Sequence, residues 1–111
     1  MAEKQPVETS LIEGEVIDDD NVVTLSKPLR NGETQLVFDF DKINGYTLIN
    51  CEKRAKKEDP SMMVPSLSMV YQAYVAAVAA GVKYDDILGL CAKDFTAACV
   101  KAQAFLFGTG R

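Results

Sequence analysis

The sequence predicts an α+β fold: an N-terminal β-hairpin packed on a small bundle of three to four α-helices, preceded by a disordered acidic tail. Three observations lead there. An Asn31-Gly32 pair sits between two runs of strand formers, the strongest short-range mark of a hairpin. From Leu67 to Ala80 the chain carries no charge, and its large apolar residues recur at helical spacing. The first 20 residues hold seven carboxylates, one lysine and no aromatic. Such a composition buries too little apolar surface to offset the entropy of ordering.

The chain has 111 residues, 48% of them hydrophobic and 25% charged, which suits one globular domain. That domain is assigned to residues 21–108, between the tail at 1–20 and a short C-terminal tail at 109–111. The net charge is −4; residues 1–20 account for −6, so the rest carries +2. An acidic balance argues against nucleic acid as the main partner, since phosphate needs clustered Lys and Arg. The one basic cluster, Lys53, Arg54, Lys56 and Lys57, reads as a solvated helix end, where cations suit the helix dipole. Cys51, Cys91 and Cys99 are an odd number without framework spacing, which points to buried thiols in a reducing compartment. The longest apolar run, Val75 to Val82, is too short for a bilayer. No membrane association is expected, and the expected location is the cytoplasm.

The elements can be justified in order. Val22 to Leu25 form the first strand, limited by Pro28. The Asn31-Gly32 turn, expected as type I′, leads to a return strand from Thr34 to Phe40, with Leu36, Phe38 and Phe40 on one face. Asp41 or Asn44 caps a helix over about 46–57, whose Leu48 and Ile49 face the core, and Asp59-Pro60 ends it. Residues 60–65 form a loop exposing Met62, Met63 and Val64. Ser66 caps a second helix over 67–80, with the stripe Leu67, Val70, Tyr71, Tyr74, Val75 and Val78 opposite a run of alanines. Gly81 ends it. Asp85 and Asp86 sit at the start of a short helix over 84–88, the end that favours anions. Asp94 caps a last helix carrying Phe95, Ala98, Cys99, Ala102 and Leu106, with Phe105 and Phe107 off that line.

Catalytic signatures are scarce. There is no histidine, no Cys-x-x-Cys pair and no phosphate-cradling glycine loop. Asp18-Asp19-Asp20 lacks the glycine and distal glutamate of a calcium loop and reads as part of the acidic tail, where Leu11, Ile12, Val16 and Ile17 are the only apolar cluster. No enzyme activity, cofactor or metal is expected. What remains is apolar surface, either filling the core or forming an interface. For the interface, Met62, Met63, Tyr71, Tyr74, Phe105 and Phe107 are the candidate partner-binding residues. Methionines adapt to varied partners, and aromatic anchors often dominate binding.

The order of these features resembles the tail assembly chaperones of long-tailed bacteriophages and prophages. The run Val23 to Leu29 is similar to an opening "T-L-s-K-P" strand of one such group. The Asn31-Gly32 turn and the Leu36–Phe40 strand follow, and Gly45-Tyr46-x-Leu48-Ile49-x-x-Glu52 is similar to the start of the first helix in these proteins. Tyr71 to Ala80, the Gly81 to Leu90 segment, and Asp94 to Val100 with Phe105-Leu106 resemble the remaining helices. The resemblance spans about 22–108. It implies a chaperone, without catalytic residues, that coats the helix-rich tape measure protein, helps the tail tube protein polymerise and is absent from the finished virion. Other readings are a structural tail-completion or connector component, and a small interaction module whose acidic tail engages a basic partner. The charge-free second helix also makes a homo-oligomer an open expectation.

Overall fold

The structure, a computed structural model, describes residues 21–108. Its elements run β1 (Val22–Thr24), β2 (Gln35–Val37), α1 (Gly45–Glu58), α2 (Met69–Ala80), α3 (Tyr84–Leu88) and α4 (Ala92–Leu106). Single 3-10 turns at Phe40–Lys42 and Pro65–Leu67 precede α1 and α2. The α+β class is as the sequence predicts: an antiparallel hairpin followed by helices. The expected acidic tail at 1–20 and the tail at 109–111 lie outside the described residues.

The strands pair Val22 with Val37, Val23 with Leu36 and Thr24 with Gln35. Period-2 alternation sends Val23, Leu25, Leu36 and Phe38 inward, where all four are buried, while Thr24, Val37 and Asp39 face outward. Each such burial is worth roughly 1.5–3 kcal/mol, which is why a hairpin too small to stand alone persists against helices. The return strand ends at Val37, not Phe40. The Phe38 amide makes the last rung to Asn21 O at 2.8 Å, and the Asp39 amide turns away to Ala79 O at 2.8 Å. The Asp39 carboxylate then accepts the Asp41 amide at 3.2 Å and opens the 3-10 turn. The sheet is thereby hooked to the end of α2.

The turn also differs from expectation. Gly32 N donates to Leu29 O at 2.9 Å and Leu29 N to Glu33 O at 2.8 Å, so Arg30 and Asn31 are the central residues of a three-residue loop. Gly32 follows them at φ +90°, and the Asn31 side chain accepts the Glu33 amide at 2.9 Å. A longer hairpin loop of this kind needs the left-handed residue after the turn, not within it.

Asn44 caps α1 with a reciprocal pair of bonds to Thr47, at 3.1 and 3.4 Å. Only Cys51 and Ala55 of this helix are fully buried. At 100° per residue that narrow face places Ile49 on the far side, so Ile49 is 54% exposed and is not the core residue expected; Leu48 is half-buried.

Helix α2 is the hub. It packs against α1, α3, α4 and β2, and it buries Tyr71, Gln72, Ala73, Val75, Ala76, Ala77 and Ala79. A helix without charge is buried on several sides, and its alanines let neighbours approach. Its cap is Ser68, which accepts the Tyr71 amide, not Ser66. Pro65 starts a 3-10 turn, so Ser66 lies inside that turn while Ser68 takes the extended backbone a cap needs. Leu67 is consequently outside the helix and outside the stripe assigned to it. Gly81 ends α2 at φ +72°, with Val82 N bonded back to Ala77 O at 3.0 Å.

Asp86 accepts the Lys83 amide at 3.2 Å at the start of α3 and pairs with Arg30 of the hairpin loop at 3.0 Å. Asp94 does not cap α4; the cap position is Cys91. Asp94 is instead buried in the first turn and takes the Ser26 amide at 2.7 Å and the Ser26 hydroxyl at 3.3 Å. These two carboxylates fasten the hairpin to α3 and α4. One hydrophobic cluster runs through the hairpin and all four helices.

Candidate protein-docking surface

The structure divides the six candidate partner-binding residues. Met62 is buried at 8% exposure and Tyr71 is buried in α2, so both belong to the core. Met62 was expected on the loop surface. Its amide bonds to Asp59 O at 3.0 Å, and that tight turn after α1 folds the side chain inward. Tyr74 and Phe105 are half-buried, Phe107 is about half-exposed, and Met63 is 89% exposed.

Five of the nine aromatic residues fall into two separate stacks. Phe38, Phe40 and Phe105 form a continuous stack, with centroids 5.7 and 4.6 Å apart, which joins the hairpin exit to the end of α4. Tyr74 stacks on Tyr84 at 3.8 Å. Both of their hydroxyls donate to the carboxylate of Glu58, the last residue of α1. Burial, then the bond to Glu58, pushes the Tyr74 hydroxyl up to about 12 and the Tyr84 hydroxyl higher still. Both phenols thus stay protonated and serve as donors locking α1, α2 and α3. Their role is structural, and it leaves Tyr74 half-buried.

Apolar surface is concentrated where the chain enters α2. Met63, Val64, Leu67 and Met69 are all at least half exposed, Leu67 at 62%. They lie within one short stretch of backbone that is held in shape. Pro65 fixes its own φ. Leu67 N bonds to Val64 O at 3.0 Å and Ser68 N to Pro65 O at 2.9 Å. The buried Gln72 amide reaches Ser66 O at 2.8 Å, and Met62 plugs the core beneath. The 3-10 turn also rests on α4. Four large apolar side chains are therefore presented on a pre-ordered turn, the condition under which binding costs little ordering entropy. Of these residues only Met63 was among the sequence candidates. Leu67 and Met69 were missed; the signal available was Pro65, which delays a helix start and strips Leu67 from the helical stripe.

The remaining features offer less chemistry. A groove of about 440 Å³ between the hairpin loop and the α3–α4 corner is lined by Lys27, Arg30, Asp85, Asp86, Leu90 and Cys91. The Arg30–Asp86 ion pair occupies its polar side; the hydrogen bond from Arg30 and the Lys83 amide hold the Asp86 carboxyl below its usual range. Cys51 and Cys99 are buried free thiols, Cys99 pushed up to about 11 by burial, and so they are poor nucleophiles. Among the described residues no group of His, Cys, Asp or Glu is arranged to hold a metal ion, and no helix is long and apolar enough to cross a membrane. Lys53, Arg54, Lys56 and Lys57 are exposed along α1. No family model, curated protein or solved structure matches the chain.

Proposed function

We propose that this protein is a tail assembly chaperone of the long-tailed phage and prophage kind, a binding protein without catalysis. In this reading it acts in the bacterial cytoplasm, holds the tape measure protein and helps recruit tail tube protein. The observation that carries the proposal is the pre-ordered apolar turn of Met63, Val64, Leu67 and Met69. A tape measure protein is a long helical chain, and amphipathic helices are held by apolar side chains that meet their i, i+3, i+4 anchors. A fixed ridge of methionine, leucine and valine suits many such helices in turn, because methionine adapts to different surfaces. The order of hairpin and helices supports the same reading. In this reading the docking surface lies at the entrance of α2, because Tyr71, one of the candidate anchors, is buried in the core.

The test is co-expression with a helical fragment of a tape measure protein, followed by mass spectrometry of purified particles. The chaperone reading expects a soluble complex with the fragment and no copy of this chain in finished virions. Stoichiometric retention in virions would instead make it a tail-completion or connector component.

A further inference from the structure

The outward face of α1 has an unusual composition. Opposite the buried Cys51 and Ala55, helical geometry aligns Tyr46, Ile49, Lys53, Lys56 and Lys57. Tyr46 is 89% and Ile49 54% exposed, and the three lysines are all exposed. The face is thus apolar in its first half and cationic in its second. Among the described residues the single ion pair is Arg30–Asp86, so no carboxylate there neutralises these lysines.

A segment of the same chain has the complementary composition. Residues 1–20 carry a net −6 against +2 for the rest, and Leu11, Ile12, Val16 and Ile17 form their apolar cluster. They join the described residues at Asn21, whose carbonyl is fixed by the Phe38 amide at the hairpin exit, a few residues before α1 begins. Read backwards from Asn21 come Asp18–Asp20, then Ile17 and Val16, then Glu15 and Glu13, then Ile12 and Leu11, then Glu8. The stretch from Ile17 back to Glu13 thus runs apolar and then charged, as the α1 face does. An extended chain covers about 3.3–3.6 Å per residue, so residues 8–17 are long enough to follow the full length of a helix of this size, which rises about 1.5 Å per residue.

We propose that the acidic segment 8–20 docks on the outer face of α1 of its own chain. Val16 and Ile17 cover Tyr46 and Ile49, and Glu8, Glu13 and Glu15 face Lys53, Lys56 and Lys57. Docking within one chain is favoured because the tether supplies a high effective concentration, which lets weak contacts register. Exposed ion pairs are individually weak and are screened by salt, so the contact is salt-sensitive and displaceable.

The experiment is nuclear magnetic resonance on the full ¹⁵N-labelled chain at about 0.01 M and about 1 M salt, where the screening length falls from about 30 Å to about 3 Å. The expected result is that amides of residues 8–20 and of 46–57 shift together with salt, independently of protein concentration. The charge reversal Lys53→Glu/Lys56→Glu/Lys57→Glu should lower the docked-to-free ratio by roughly three- to a hundredfold, the effect of removing three exposed ion pairs. Val16→Ser/Ile17→Ser gives the same loss by an independent route. Random-coil shifts for residues 8–20 at low salt, unmoved by either variant, would overturn the proposal. So would shifts that grow with protein concentration, which would place the segment on a second copy.

Discussion

Met62 and Met63 are neighbours of identical chemistry with opposite environments, and they give the most discriminating stability experiment on this fold. Met62→Ala removes a side chain that is 8% exposed, while Met63→Ala trims one that is 89% exposed. Truncating a buried methionine costs about 2–5 kcal/mol. Met62 lies at the edge of the core, where a turn can settle inward, so the low end, about 2–3 kcal/mol, applies. With a urea slope of about 1–2 kcal/mol/M for a domain this small, the midpoint should fall by about 1–3 M. Met63→Ala leaves the core intact and should stay within about 0.5 kcal/mol of the parent. The assay is urea unfolding followed by circular dichroism, with the slope checked in both variants so that any shift reports stability and not a changed denatured state. Equal shifts, or a larger one for Met63→Ala, would refute the division of this turn into a buried plug and an exposed ridge.

The other expectations concern the ties between elements. Tyr74 and Tyr84 have raised folded-state values against about 10 for an unfolded tyrosine, so the folded protein holds more protons there. Their contribution is complete below about pH 10 and is lost as pH rises toward about 12, so melting temperature should fall over that window and fall less steeply in Tyr74→Phe. A single ultraviolet ionisation step of all tyrosines near pH 10 would contradict this. The Ser26 amide, foremost, holds the Asp94 carboxyl below its usual range. Its stabilisation is present above the ordinary carboxylate range and disappears as pH falls through the lowered value, so Asp94→Asn should lower the urea midpoint at neutral pH and flatten the loss of stability in acid. Gly81→Ala meets only the end of Lys42, at 3.6 Å, yet must hold φ +72°. It should cost about 1–2 kcal/mol in urea unfolding, whereas Gly45→Ala, with open space and no positive φ, should cost less than about 0.5 kcal/mol.

Patterns confined to neighbouring residues were legible in the sequence. The alternation of Leu36 and Phe38, the charge-free α2, the Asn44 cap (one of two that the sequence offered, with Asp41) and the Gly81 stop all depend on residues within one or two turns of each other. What was not legible depends on distant partners. Asp94 has the composition of an N-cap, but Ser26, far away in the chain, claims its carboxylate. The return strand ends early because Ala79 O draws off the Asp39 amide. Two serines precede α2, and only the 3-10 turn begun by Pro65 decides that Ser68 is the cap. The docking surface was half legible for the same reason. Met63 could be picked as exposed, but its distinction from Met62, and the release of Leu67 from the helical stripe, follow from the geometry of that turn.

The central claim is that the turn entering α2 holds a helical partner. It is tested most directly by isothermal titration of a tape measure fragment into the parent chain and into Met63→Glu/Leu67→Glu, two exposed substitutions that leave the core alone. The account predicts a folded variant, by circular dichroism, whose affinity for the fragment falls at least tenfold, a change of about 1.4 kcal/mol. Unchanged affinity in the folded variant would contradict it.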